Sequence, residues 1–254
     1  MSHFSIGTAR CRAISIISGV RDIDRSDSDQ TDVEKSRLTF LQISAGLLAT
    51  VGVSATPLQK RVVIAHDAVV GLPETAPSGT VGTVYEAYQP YFGGLAPTGA
   101  SNGDCSSTGQ IYVRGATYGS YYGVMYSWYM PKDEPSDGLG HRHDWEGVIV
   151  WLSSASAITF SNIVAVCPSA HGNWNCSTSG YSLSGTAPLI KYERIWPVDH
   201  SCGLTSTVGG QQPMIAWESL PTVAQTALSI TDFGSVIVPF IDIHFTTNLA
   251  AATF

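Results

Sequence analysis

Charge is scarce in this chain, and positive charge scarcer still. Charged residues make up 13% of the sequence, 13 Lys and Arg against 20 Asp and Glu, for a formal net charge of −7. So few cations exclude the phosphate-neutralising surface that nucleic-acid binding requires. They also argue against simple electrostatic docking on anionic lipid, so membrane contact would go through neutral headgroups or a bound cation. No CxxC pair occurs among Cys11, Cys105, Cys167, Cys176 and Cys202, so spacing gives a Cys-type zinc site no support. A GxSxG string occurs at Gly99–Gly103, but it lies in the Gly- and Pro-rich turn stretch 93–103 and not between a strand and a helix, so it does not read as the elbow of a serine hydrolase. The most apolar stretch, Leu38 to Val53, carries polar interruptions and falls short of a membrane span.

What is present suits a β-rich, loop-rich secreted globule. Apolar residues are 44% of the chain, and Gly, Ser, Thr, Tyr and Trp are plentiful. The acidic excess lies from residue 56 onward, with seven Lys and Arg against fourteen Asp and Glu; residues 1–55 hold six of each sign. Lys35 and Arg37 precede the Leu38–Val53 run, and Val53 and Ala55 stand at −3 and −1 of a cleavage site before Thr56. This is a signal-peptide pattern over 36–55; the competing reading is an apolar strand or helix at the domain edge. Residues 1–35, with their run "DIDRSDSDQTD", read as a charged, disordered prefix or a misplaced translation start. The mature domain is then 56–254. Four cysteines fall in it, allowing three pairings. Cys167 and Cys176 are close enough to close a short loop, while Cys105 and Cys202 have no obvious partner.

Along the domain, short strands alternate with Gly- and Pro-rich turns. Residues 61–72 are β-branched and apolar. In 109–131, Tyr122, Val124, Tyr126 and Trp128 point one way and Met125, Ser127 and Tyr129 the other, a strand signature. Residues 145–154 and 160–172 read as further strands. Residues 220–229 suit a short amphipathic helix started by Pro221, and 231–242 return to extended structure. The fold class is mainly β: a single-domain β-sandwich with peripheral α-helices.

The chemistry concentrates in "PKDEPSDGLGHRHDWEG" (131–147), between aromatic, nearly uncharged segments. Asp144 and Glu146 are two residues apart and on a strand face the same side, with Trp145 and Gly147 opposite. Two carboxylates so placed repel unless a cation or proton lies between them. Oxygen donors with one imidazole favour a hard divalent cation, Mg²⁺ or Ca²⁺. The bland alternative is a solvated acidic loop. A third reading pairs His141 and His143 on zinc with Glu146 as general base, a metallohydrolase, but it lacks an evident third ligand. A second cluster, "KYERIWPVDHSCG" (191–203), offers Trp196 as a ring platform beside Asp199 and His200, suited to a sugar; the competing reading is a Trp packed at a sheet edge.

"GHRHDWE" (140–146) and "MYSWYMPKDEPSDGL" (125–139) resemble the heptapeptide and preceding stretch of the necrosis- and ethylene-inducing peptide-like (NLP) family. The likeness continues through "HDAVVGL", "YEAYQPY", "GLAPTG", "GQIYVRG", "PSAHG", "LTSTVGGQQPMIAWESLPTVAQTAL" and "TDFGSVIVPF". The resemblance implies an actinoporin- and lectin-like β-sandwich, secreted, that damages plant membranes without being an enzyme. It implies a divalent cation, Mg²⁺ or Ca²⁺, on Asp133, His141, Asp144 and Glu146, with His141 and Glu146 acting through bound water. Arg142, His143 and Trp145 would support that cavity from behind. Trp196, Asp199 and His200 would contact the terminal sugar of a plant plasma-membrane sphingolipid, glycosyl inositol phosphoryl ceramide. A host immune receptor is a further implied partner. Residues 88–99 lack a segment that carries, in the family, a cysteine paired with the one matching Cys105. Cys167, Cys176 and Cys202 lie outside the common pattern, as does the N-terminal prefix. The chain could accordingly be a non-cytolytic, glycan-binding or immune-eliciting member.

Overall fold

The computed structural model describes residues 71–94, 109–133, 140–195 and 199–254. The prefix 1–35, the signal segment 36–55, most of the strand expected at 61–72, Trp196, and the side chains of Arg142 and Asp199 lie outside the described residues. The first elements are α1 (Thr80–Ala87), β1 (Tyr91–Gly94), β2 (Ile111–Tyr118), β3 (Tyr121–Asp133), β4 (His141–Leu152) and β5 (Ile163–Ala170). There follow β6 (Asn173–Trp174), β7 (Leu183–Ser184), β8 (Ala187–Ile195), β9 (Asp199–Leu204), β10 (Met214–Ala216), α2 (Thr222–Ile230) and α3 (Asp242–Ala251).

Two sheets result. The larger runs β10-β2-β3-β4-β5-β6, antiparallel except where β10 lies parallel to β2. The smaller has β8 between β1 and β7, with β9 also paired to β8. In it β9 lies against β4 and β5 of the larger sheet. The expected sandwich is therefore present, and the alternation in β3 explains why. Val124, Tyr126, Trp128 and Met130 enter a core between the sheets with Phe92, Ile190 and Tyr192. Met125 and Tyr129 enter a second core on the opposite face. Phe92 stacks on Trp128 with ring centroids 4.2 Å apart, and the Trp128 indole N–H donates to Gln212 Oε1 at 3.0 Å, which satisfies its one polar atom.

The larger sheet is thus buried on both faces, where a plain sandwich would leave one to solvent. Leu228, Phe240, Phe245 and Leu249 cover the second face together with Trp145 and Trp217. Arg114 anchors this cover: its guanidinium donates to the Phe240 carbonyl at 2.8 Å and to Asp242 Oδ1 at 2.7 Å, and lies 4.6 Å from the Phe245 ring centre.

The helix expected at 220–229 is α2, with Pro221 as its N-cap. The strand expected at 231–242 is a correction: no strand forms there, and residues 231–241 run irregularly into α3. Pro239 brings no N–H to a ladder, and Gly234 turns the chain at φ 72°. Phe233, Val238, Phe240 and Ile241 are buried against the sheet instead of pairing with it. Helix α1 went unforeseen because "TVGTVYEA" is rich in β-branched residues and contains a glycine. Burial of Val84 and Tyr85 overrides that weak propensity.

Cys167 and Cys176 form a disulfide across the β5–β6 hairpin, as their spacing suggested, and Cys202 is a buried free thiol. Burial pushes the Cys202 thiol well up, and the nearby Glu146 carboxylate adds to the shift. Three predictions follow from packing alone. Replacing Cys167 and Cys176 by Ser removes a cross-link over a separation of nine residues and lowers stability by about 2–3 kcal/mol in urea denaturation. Trp128→Ala empties a fully buried site and costs about 3–5 kcal/mol by the same measurement. Iodoacetamide labels the Cys202 peptide only after denaturation, read by mass spectrometry, because the native thiol is neutral and enclosed.

Candidate functional site

The β3–β4 ladder sets the acidic residues in place. Asp133 pairs with His141, Met130 with Asp144 and Trp128 with Glu146. Gly140, at φ 91°, makes the turn into β4, a backbone region that costs glycine nothing. Asp144 and Glu146 share one face as their spacing predicts, and Asp133 stands at the end of the neighbouring strand. All three are buried, at 2%, 7% and 5% exposure for Asp133, Asp144 and Glu146. They line one cavity of about 320 Å³ with His141 and His200. Among the described residues lining it there is no Lys or Arg.

Each carboxylate has partners that orient it. His200 Nδ1 donates to Asp133 Oδ1 at 2.6 Å, which ties β9 of one sheet to β3 of the other. His141 Nε2 lies 3.8 Å from Asp133 Oδ2, on a largely open side chain. Asp144 Oδ1 accepts the Trp145 N–H at 2.8 Å. The Ser169 hydroxyl donates to Glu146 Oε2 and accepts the Gly147 N–H at 2.8 Å. The crowded carboxylates are felt by their neighbours. Burial raises the Tyr192 hydroxyl far above its usual range, with Asp144, Asp133 and Glu146 each adding.

His143 sits behind this wall. Its φ is 62°, the left-handed region, within the strand that carries Asp144. Its Nδ1 hydrogen-bonds the Tyr129 hydroxyl, its carbonyl oxygen meets His141 Nδ1 at 2.9 Å, and its ring meets the edge of Phe233 at 5.5 Å. Such a backbone persists only where its surroundings over-determine it. Trp145 is held among Tyr112, Tyr129, Phe233 and Phe240, with ring centroids 5.4–5.8 Å away. His143 is thus packed against the aromatic cluster, and Trp145 belongs to that cluster while also lining the cavity.

The structure brings Asp133, His141, Asp144, Glu146 and His200 to one cavity. Asp199 lies on β9 beside His200, with its backbone paired to Ile195. Sequence reasoning missed Ser169, His171, Asn173 and Trp174, which the β5–β6 hairpin brings to the cavity, and Val236, Ile237 and Pro239, which close another side. The stretch "PSAHG" carried the signal for Ser169 and His171. As a metal centre the arrangement is not ready-made: among the described residues no three His, Cys, Asp or Glu side chains converge on one point. Oxygen donors spread over a cavity wall would suit only an ion that keeps part of its water shell, as Mg²⁺ does.

The necrosis inducing protein (NPP1) family matches residues 86–252. NLP effector protein 1 of Phytophthora capsici is 40% identical over 218 residues, covering 76% of this chain and 92% of its own. The solved structure of NLPPya in complex with mannosamine is 40% identical with a TM-score of 0.68, over 76% of this chain and all of that one. A companion structure holds glucosamine, at 40% identity and a TM-score of 0.67 over the same shares. The crystal structure of the non-toxic HaNLP3 protein is 31% identical with a TM-score of 0.65, over 74% of this chain and 98% of that one. With a family match over residues 86–252 and relatives that share its fold over about three quarters of its length, the chain belongs to the necrosis-inducing protein (NPP1) family and carries the NLP fold.

Proposed function

We propose that this protein is a secreted cytolysin that uses a divalent cation to grip the terminal sugar of a plant sphingolipid, glycosyl inositol phosphoryl ceramide, and then permeabilises the membrane without catalysis. The observation that carries the reading is the placement of three buried carboxylates on one cavity wall. Like charges buried in one cavity are costly in a partly dry site. When bound, Mg²⁺ or Ca²⁺ would offset that repulsion and present a Lewis-acidic face to sugar hydroxyls.

The chain's own residues supply the rest. Asp133, Asp144 and Glu146, with His141, would hold the hydrated ion; His200 fixes the Asp133 carboxylate. Binding to amino sugars in the NLPPya structures supports a sugar ligand here. The disulfide supports an oxidising, extracellular destination, since such bonds are rare in the cytosol. The acidic body is compatible with a neutral sugar contact, as a bound cation makes the local field differ from the net charge.

A second reading has a specific observation behind it. HaNLP3 has this fold and is non-toxic, so the chain could bind glycan, or elicit host immunity through a receptor, without leakage; fold alone does not settle activity. A cell-wall-directed metallohydrolase is a third and weaker reading.

Calcein release separates them. Vesicles containing the plant sphingolipid should leak in Mg²⁺ or Ca²⁺, stay closed in EDTA, and stay closed without the lipid. Asp144→Ala and Glu146→Ala should each cut the leakage rate at least about 10-fold, in line with loss of metal-site residues. Leakage that survives EDTA and both substitutions rejects the cation mechanism. Glycolipid binding without leakage selects the second reading, and sugar released from purified wall polysaccharide selects the third.

A further inference from the structure

Ser169 stands where the β4–β5 ladder stops. Pairing between these strands runs from Leu152 with Ile163 to Val148 with Pro168, and beyond it Ser169 pairs instead with Trp174 of β6. Pro168 brings no N–H to the ladder. At the next position the Gly147 N–H turns to a side chain, the Ser169 Oγ, at 2.8 Å. A hydroxyl carries one proton. With the Gly147 N–H occupying an acceptor lobe, that proton goes to Glu146 Oε2. Ser169 is buried at 9% exposure, and the buried Cys202 thiol of β9 lies close enough for both Ser169 and Glu146 to act on it. Gly147 leaves no room for a side chain of its own: a Cβ there would come within 2.7 Å of the Tyr126 carbonyl oxygen. Three strands therefore converge on one carboxylate.

We propose that Ser169 is a positioning residue for Glu146, holding its carboxylate in the orientation in which the cavity takes up a divalent cation. The proposal rests on the cation reading given above. Ser169 itself is not a ligand. Its hydroxyl removes the rotational freedom that Glu146 would otherwise lose on binding, so the ion meets a pre-set oxygen. The Cys167–Cys176 bridge serves the same end, because it staples the hairpin on which Ser169 lies.

The test is calorimetric titration of Mg²⁺ and, separately, Ca²⁺ into the folded full chain, with the unfolding midpoint of each metal-free variant measured alongside. Ser169→Ala should weaken cation binding about 10- to 100-fold, the usual range for a group behind a metal ligand. Ser169→Thr, which keeps the hydroxyl, should restore most of that loss. In a Glu146→Ala background Ser169→Ala should change affinity no further, because its target is gone. Wild-type affinity in Ser169→Ala, with Glu146→Ala weakened, overturns the proposal even if the midpoint falls, since Ser169 would then only satisfy the Gly147 N–H. Equal losses with and without Glu146 overturn it too. Wild-type affinity in Glu146→Ala instead removes the underlying cation reading, a separable result.

Discussion

The pairing of β3 with β4 governs the rest of the molecule. Its register sets Trp128 opposite Glu146 and Met130 opposite Asp144, so apolar core and acidic wall are successive stretches of one ladder. Towards Leu152 the shared face fills the space between the sheets; towards His141 it ends in carboxylates. A slip of one residue would send Asp144 and Glu146 to the opposite face, away from Asp133 and His200. The aromatic packing of Trp145, Tyr129 and Phe233 on that opposite face resists such a slip. Core packing and acid placement are thus one constraint.

The second sheet and the C-terminal cover act on that ladder from its two sides. From one side β9 brings His200 onto Asp133 and Cys202 next to Glu146. From the other, the segment before α3 lays Phe233 and Phe240 against Trp145 and carries Val236 and Ile237 to the cavity edge. The cavity sits where the strand ends, the turn of the β5–β6 hairpin and this segment meet.

Local pattern made part of this legible. The period of two in 122–129 assigned both faces of β3, and the spacing of Asp144 and Glu146 put them together on one. Pro221 marked α2. Other features depend on partners far along the chain. Asp133 and His200 are 67 residues apart, Glu146 and Ser169 are 23 apart, and no spacing rule joins them. Burial of the larger sheet on both faces was hidden because its cover includes an irregular segment whose apolar residues imitate a strand. Helices α1 and α3 were hidden because tertiary packing, not propensity, stabilises them. The packed-edge alternative concerned Trp196, which lies outside the described residues; His200, near it in sequence, is buried and bonded to an acid.

The left-handed backbone at His143 has an evolutionary consequence. Asparagine, aspartate and glycine would sit there with less conformational strain, and β-branched residues would be rejected outright. None of the three tolerated types offers an imidazole to the Tyr129 hydroxyl and the Phe233 edge. The position is pulled by two demands, one from the main chain and one from the ring's neighbours, and histidine is the residue type that meets both. Substitution at 143 is therefore constrained for reasons independent of what the cavity holds, and a histidine there does not by itself testify to binding.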